Sequence, residues 1–151
     1  MKELKNRVRL GDFVKSNNFV GEIVGLNDDA VSVKTKNSSG ADMIITSGWN
    51  LVEPIVFIDD ILMKNGFFYN EYNGNWFYEY CDTVREVMKQ IDISLDRTVD
   101  PYTQEKIHLV TVSPLFIDEI DGQRKFKTLD ELQQFLDSYD ISLKINPVKY
   151  G

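Results

Sequence analysis

The stretch FFYNEYNGNWFYEY, residues 67–80, decides how the second half of the chain folds. Two aromatic runs, 67–72 and 75–80, flank Asn73-Gly74, and Asn-Gly between β-forming residues is the strongest local signal for a hairpin. Side chains alternate between the two faces of a hairpin, so some of these rings must lie outside a core that covers one face. We therefore predict an exposed aromatic patch that binds a partner. Its candidate residues are Tyr69, Tyr72, Trp76, Tyr78 and Tyr80. The alternative is a second layer, such as a C-terminal helix, that covers both faces.

The segment that follows the hairpin has two possible periodicities. Thr83 and Glu86 have the spacing of a helix capping box, and the apolar residues after them fit either a helix or a strand. These apolar residues are Val84, Val87, Met88, Ile91, Ile93 and Leu95. We predict one or two helical turns followed by a strand.

The next segments read as a sheet covered by a helix. Residues 106–112 alternate as a strand, and residues 115–120 and 124–127 are predicted to form a hairpin around Asp121-Gly122. In TLDELQQFLDSY, residues 128–139, Thr128 and Glu131 form a second capping box. One apolar stripe of this helix should pack on the sheet; it contains Leu129, Leu132, Phe135, Leu136 and Tyr139. A final strand is predicted over residues 141–145, ended by Pro147.

Upstream of the hairpin, a short helix should begin at Asp59 and stop at Gly66 in the left-handed conformation. Residues 11–35, GDFVKSNNFVGEIVGLNDDAVSVKT, have the pattern of three short strands separated by two polar turns. With the apolar run Met43, Ile44 and Ile45, the first fifty residues predict a meander of about four strands. Gly21 and Gly25 suggest a bulge or bend, through which such a meander coils into an SH3-like open barrel. Pro54 interrupts this pattern, so we place a subdomain boundary within residues 52–57.

The predicted fold is α+β, with two subdomains. Residues 1–52 form the SH3-like β subdomain, and residues 53–151 form an antiparallel sheet with one or two packed helices.

Charge and length exclude several classes of function. The chain has 151 residues, with 17 Lys and Arg against 24 Asp and Glu, and a net charge of −7. This charge repels a phosphate backbone and disfavours general nucleic-acid binding. No run reaches the ~18 apolar residues that a membrane helix needs, and the opening MKELKNRVR lacks the apolar core of a signal peptide. We expect a cytoplasmic protein with no membrane partner.

Catalytic and metal-binding equipment is sparse. Cys81 and His108 are the only residues of their types, so an internal disulfide and a zinc cluster are excluded. Cys81 is predicted to be a small buried residue, and His108 a structural or solvent-facing residue in a strand. The chain has no phosphate-binding loop and no nucleophile elbow. Its acidic clusters fit turns and helix starts better than a metal site; they are Asp28-Asp29, Asp59-Asp60, Glu79 with Asp82, Asp96 with Asp100, and Asp118-Glu119-Asp121. We expect no cofactor.

Three segments together carry a family resemblance. They are VRLGDFV (residues 8–14), EPIVFIDDILMKNGF (residues 53–67) and KTLDELQQFL (residues 127–136). In order and spacing they are similar to a group of small uncharacterised proteins of gut bacteria and their phages and mobile elements. That group has an L-R-x-G-N strand, a P-I-P-L-T link into a short helix ending in G-F, and an L-Q helix. Here Asp12 stands for the usual Asn, and Val56-Phe57-Ile58 for Pro-Leu-Thr. The resemblance implies the element order and a phage or mobile-element setting, where accessory proteins that bind other proteins are common; it implies no catalytic residues.

The function predicted from these observations is that of a non-enzymatic protein-interaction accessory factor. The alternative is a nucleic-acid-related role, either direct contact through the N-terminal basic residues or an acidic decoy of nucleic acid. Residues 1–36 have seven basic residues against five acidic ones. The basic residues are Lys2, Lys5, Arg7, Arg9, Lys15, Lys34 and Lys36. An enzyme is the least favoured class, and the sequence predicts no oligomeric state.

Overall fold

The computed structural model describes residues 4–56, 59–115 and 119–148 and consists mainly of two five-stranded antiparallel sheets. The first sheet contains β1 (Phe13–Ser16), β2 (Phe19–Leu26), β3 (Ala30–Lys36), β4 (Asp42–Gly48) and β5 (Val52–Glu53). The second contains β6 (Phe68–Asn70), β7 (Asn75–Asp82), β8 (Val87–Val99), β9 (Lys106–Pro114) and β10 (Gly122–Phe126). The helices are α1 (Asp59–Lys64) and α2 (Leu129–Ser138), with 3-10 turns at Leu4–Asn6 and Trp49–Leu51. The α+β class is confirmed.

The first sheet is the predicted meander, in the order β4-β3-β2-β1-β5. The register between β2 and β3 shifts between Ile23 and Gly25, which confirms the predicted bulge. Gly21 is needed for close packing, because a Cβ there would lie 2.4 Å from the carbonyl oxygen of Lys34. The predicted barrel is not confirmed, since β4 and β5 form two open edges in the described residues.

The second sheet has the order β10-β9-β8-β7-β6 and corrects two predictions. Residues 83–86 form a turn instead of a helix, with Glu86 at a φ of +55°. Pairing of β7 with β8 starts at Asp82 and Val87, so the four residues between them only reverse the chain. The Asp82 carboxylate stabilises the turn, because it accepts hydrogen bonds from the backbone N–H groups of Val84 and Arg85 at 3.1 and 3.2 Å. The strand predicted after this segment is confirmed as β8.

The second correction concerns β10. β10 pairs with β9 and not with the predicted strand at residues 115–120. In this pairing Gly122 lies opposite Val112 and Phe126 opposite His108. Residues 116–118 of that predicted strand lie outside the described residues, and residues 119–120 are not in a strand. The hairpin is therefore wider than predicted, and its connection spans residues 115–121.

Helix α2 supplies the centre of the main core. Its residues Leu129, Leu132, Phe135 and Leu136 are buried with the inner side chains of β8 and β9, whereas Tyr139, at the end of the predicted stripe, is 42% exposed. Thr128 is the N-cap residue, but its hydroxyl donates to the Glu131 carboxylate at 2.9 Å and not to the helix backbone. The predicted helix and its packing are confirmed, but Thr128 and Glu131 bind each other and form neither of the two side-chain-to-backbone hydrogen bonds of the predicted capping box.

The predicted strand over residues 141–145 is wrong. The segment runs without sheet pairing, and side-chain amides satisfy its backbone. The N–H of Ile145 donates to the Gln133 side chain at 2.9 Å, and the N–H of Asn146 donates to the Asn65 side chain at 3.0 Å. Ile141 and Ile145 are buried against the helices, so the apolar alternation reflects burial without a ladder.

Side-chain contacts join the first sheet, and the segment that precedes β1, to α2. Arg7 donates to Asp130 at 2.8 and 3.3 Å, and Phe13 belongs to the same core cluster as the α2 stripe. The other buried apolar side chains within residues 4–53 form a smaller cluster in the first sheet. The division into subdomains at residues 52 and 53 stays a prediction.

Candidate functional site

The aromatic hairpin is positioned by the end of α1. Gly66 has a φ of +89°, and the N–H of Phe67 donates to the carbonyl of Leu62 at 3.0 Å. This left-handed glycine closes the helix and turns the chain into β6, as predicted. Leu62 is fully buried in the main core, which fixes the helix, and with it the start of the hairpin.

The hairpin itself is confirmed, with a longer turn than Asn73-Gly74 alone. Residues 71–74 separate the last pair, Asn70 opposite Asn75. Gly74 has a φ of +73°, and its N–H donates to the carbonyl of Asn70 at 2.8 Å. The first strand therefore covers only three residues instead of the predicted run over residues 67–72.

Three of the five predicted binding residues face the core. Trp76, Tyr78 and Tyr80 are half-buried and pack against the cluster that α2 covers. Phe67 is buried beside them, with its ring centroid 5.2 Å from that of Tyr78. On this face the covering layer that we considered as the alternative is present, although none of the three rings is completely enclosed.

The other two predicted residues, Tyr69 and Tyr72, are exposed. Their exposed fractions are 51% and 102%. Phe68, which the prediction did not include, is 67% exposed, and its ring lies 5.9 Å from that of Phe77. Phe68 and Phe77 occupy the face opposite the core, because they alternate with Phe67 and Tyr78. Tyr69 pairs with Trp76 and lies on the same face as that ring, with the two centroids 5.3 Å apart. We call Phe68, Tyr72 and Phe77 the aromatic edge.

The outer face of the second sheet carries no described helix. The buried apolar residues of α1 and α2 all belong to the core cluster on the inner face, together with Ile91, Ile93, Val110 and Val112. Met88, which pairs with Cys81 on the outer face, is 46% exposed. Phe68 and Phe77 lie at one end of this face and Met88 and Cys81 at the other, with the polar side chains of Glu79, Gln90 and Asp92 beside and between them. No layer covers this face in the described residues.

A polar cleft of about 580 Å³ lies at the other end of β7. Tyr78 and Tyr80 line it, together with Lys89, whose side chain is only 9% exposed. The Lys89 ammonium lies 2.8 Å from Asp121 and 3.2 Å from Asp82. The hydrogen bond to Asp121 is the main cause that raises the pKa of Lys89, and burial raises the pKa of the Tyr80 hydroxyl. Because Lys89 remains charged and doubly paired, this cleft has no nucleophilic amine.

His108 has a structural position. It lies in β9, is 8% exposed, and its ring packs 5.2 Å from that of Phe126. Its Nδ1 accepts a hydrogen bond from the backbone N–H of Asp96 at 3.1 Å. Asp96 lies in the stretch of β8 where the register with β9 shifts, so this hydrogen bond stabilises the irregular backbone there. Burial lowers the pKa of His108. The neutral ring with its proton on Nε2 is therefore the form that fits the fold.

Cys81 corrects a further prediction, because it is exposed. It lies on the outer face of β7, between the inward-facing Tyr80 and the start of the turn, and strand alternation places it there. The acidic residues do not converge either: no group of three or more possible metal ligands occurs within residues 4–56, 59–115 and 119–148. Asp118 lies outside the described residues.

The N-terminal basic residues are largely engaged by carboxylates. Arg7 binds Asp130, and Arg9 lies 2.8 Å from Asp137 and 3.4 Å from Asp12. Lys36 and Lys34 both approach Asp42, at 2.9 and 3.7 Å. Lys2 lies outside the described residues. Four of the seven basic residues are thus paired with carboxylates.

Comparison with known proteins identifies no relative. No protein-family model, no curated protein and no solved structure matches the chain. Within the part of the chain that the structure describes, no helix has the length and apolar character to span a membrane.

Proposed function

We propose that this chain is a non-enzymatic accessory factor that binds another protein through the aromatic edge and the adjoining outer face of the second sheet. The observation that carries the proposal is Phe68, which is 67% exposed on a sheet face that no described helix covers. Aromatic residues are enriched in the buried centres of protein interfaces, and an exposed cluster of them on a small protein usually marks an interaction site.

The position of the aromatic edge supports binding more than catalysis. Its rings lie on an open surface and not in an enclosed pocket, which suits a flat protein partner better than a small substrate. The only histidine is committed to the packing of β8 and β9 through its Nδ1. The proposed function accordingly assigns no catalytic residue and no cofactor.

Two finer proposals accompany this one. The resemblance suggests a phage or mobile-element setting, with the protein in the cytoplasm. We also propose that the first sheet is an SH3-like unit; the pairing of β5 with β1 and the 3-10 turn Trp49–Leu51 before β5 support this classification.

Nucleic-acid binding is the second candidate, and the ion pairs make it weaker. To bind a phosphate, Arg7 would have to leave Asp130, whose side chain is completely buried. Lys34 and Lys36 would have to leave Asp42. A labelled DNA or RNA whose mobility shifts at low salt and returns to normal as salt rises would favour this candidate, since phosphate contacts weaken steeply with salt.

The experiment is affinity capture from the native host, performed with matched variants. Phe68→Ser and Tyr72→Ser, combined, remove two rings that the core does not use. Tyr102→Ser is the control, because Tyr102 is a turn tyrosine with 94% exposure that does not belong to the aromatic edge. We expect a protein that co-purifies with the wild type and with Tyr102→Ser to be lost from the double variant. Equal recovery from all three proteins would contradict the proposal.

A further inference from the structure

The two sheets have four open edges in the described residues, and three of them are short or charged. β5 has two residues and β6 has three. β10 has five residues, with Arg124 and Lys125 in its centre. Short edge strands and charged edge residues are common means by which proteins prevent edge-to-edge pairing.

The fourth edge, β4, lacks this protection. It has seven residues, DMIITSG, without Lys, Arg or Pro. Its pairing with β3 is continuous from Ala30 opposite Gly48 to Lys36 opposite Asp42, without a bulge. Nothing in the described residues pairs with its other side. A long, regular edge strand of this kind is a template for another strand.

The side chains of β4 suit a strand partner on both faces. Ile44 is 64% exposed on the outer face, next to Thr46. Met43 and Ile45 are half-buried on the inner face. Asp42 is the only charged residue, and it lies at the end of the strand, where Lys36 and Lys34 neutralise it.

We propose that β4 pairs antiparallel with β4 of a second copy of this chain, around a two-fold axis through Ile45. A strand that pairs with itself must tolerate its own sequence in reverse. In this register Ile45 faces its own copy, Ile44 faces Thr46, Met43 faces Ser47, and Asp42 faces Gly48. No like charges oppose each other, and β-branched pairs of this kind stabilise neighbouring strands. The two Ile44 side chains become diagonal neighbours, which covers the most exposed apolar group of the strand.

This dimer is independent of the proposed function, because the aromatic edge lies on the other sheet. The pairing joins the five-stranded first sheet of one copy to that of the other, which gives one continuous ten-stranded sheet. The aromatic edges of both copies stay open, so that a dimer would present its partner-binding surface twice.

Sedimentation over a range of concentrations tests the dimer. Ile44→Glu places a carboxylate opposite Lys34, which the monomer tolerates, but brings two carboxylates together across the dimer axis. We expect it to raise the dimer dissociation constant by about tenfold or more, which corresponds to about 1.4 kcal/mol. Val24→Glu is the control, because Val24 is 44% exposed in the same sheet but lies at the bulge of β2, away from the edge. A monomeric wild type, or a dimer that Ile44→Glu leaves unchanged, would overturn the proposal.

A distance measurement tests the register. With Cys81→Ser as background, a spin label on Asp42→Cys should show one separation of about 20 Å, because position 42 and its copy are about six residue spacings apart along the pair. The same label in a chain that also carries Ile44→Glu should lose this distance on dilution. A dimer with a label separation far from this value is paired by another surface and contradicts the proposed register.

Discussion

The ion pair between Arg7 and Asp130 should be one of the most costly single interactions to remove. The Asp130 side chain is completely buried, and that of Arg7 is 18% exposed. In Arg7→Met the carboxylate loses the only charged group within 4 Å that the described residues give it. Breaking a buried pair from one side costs about 3–5 kcal/mol. Because the guanidinium is partly hydrated, we expect the lower end of that range.

Urea unfolding followed by circular dichroism measures this loss. With a denaturant slope of about 2 kcal/mol/M, typical for a domain of this size, a cost of about 3 kcal/mol lowers the unfolding midpoint by about 1.5 M. The double variant Arg7→Met/Asp130→Leu removes both charges and should recover most of the stability. Lys144→Met is the matched control. Lys144 and Glu22 are 54% and 30% exposed, and an exposed pair contributes only about 0.2–1 kcal/mol.

Two results would refute the reasoning. One is a loss below about 1 kcal/mol in Arg7→Met, which would place the pair in the range of exposed salt bridges. The other is a double variant as unstable as the single one, since the penalty would then not come from the unpaired carboxylate.

Three further predictions concern the hairpin entry, the histidine and the helix stripe. Gly66→Ala should destabilise the fold by about 1 kcal/mol, because its φ is +89° while a Cβ would meet Tyr78 only at an ordinary 3.6 Å; an unchanged melting temperature would contradict this. Burial depresses the pKa of His108 below 6.5. The unfolded state therefore binds more protons just below that pH, and the stability from the neutral ring is complete above 6.5 and falls as the pH drops. Urea midpoints at several pH values should decline less in His108→Gln than in the wild type, and parallel profiles would reject this account. Leu132→Ala should lower the free energy of unfolding by about 3 kcal/mol, because Leu132 is fully buried. Tyr139→Ala, at the exposed end of the same stripe, should lower it clearly less in the same assay. Equal losses would count against the packing of α2.

The elements that sequence reasoning predicted well are those with local causes. A left-handed glycine ends α1, polar turns separate the strands of the first sheet, and the Asn-Gly turn joins the hairpin. In each case a few neighbouring residues determine the backbone. The apolar stripe of α2 is equally local, since a helix with one apolar face must bury that face.

The errors arise where distant pairing determines the structure. Residues 83–86 have helical spacing, but β8 pairs along β7 from Asp82 and Val87 onward, and this ladder leaves them only a turn. β10 pairs with β9 across the connection of residues 115–121, and no local sequence pattern indicates that this connection is so long. The segment 141–146 alternates like a strand, although amides of Gln133 and Asn65 bind its backbone.

The candidate site was predictable in part. The sequence indicates that some hairpin aromatics are exposed but not which face is covered, because that depends on where α2 packs. Once Trp76 and Tyr78 are known to face inward, alternation puts Phe77 and Cys81 outside, and this signal was present in the sequence. The buried position of Lys89 was not predictable, since it depends on Asp121 from another strand connection.

The contacts between the first sheet and α2 have a consequence for folding during synthesis. Arg7 and Asp130 are 123 residues apart in sequence, and Lys144 and Glu22 are 122 residues apart. A ribosome adds about 5–20 residues per second, so the N-terminal segment exists for several seconds before its partners on α2 and in the segment after α2 emerge. During that interval Phe13 has no α2 stripe to pack against, and the meander must rely on its own small core. Contacts of such high sequence separation also slow the closing step of folding, and a chaperone that shields the early meander should therefore increase the yield of native protein.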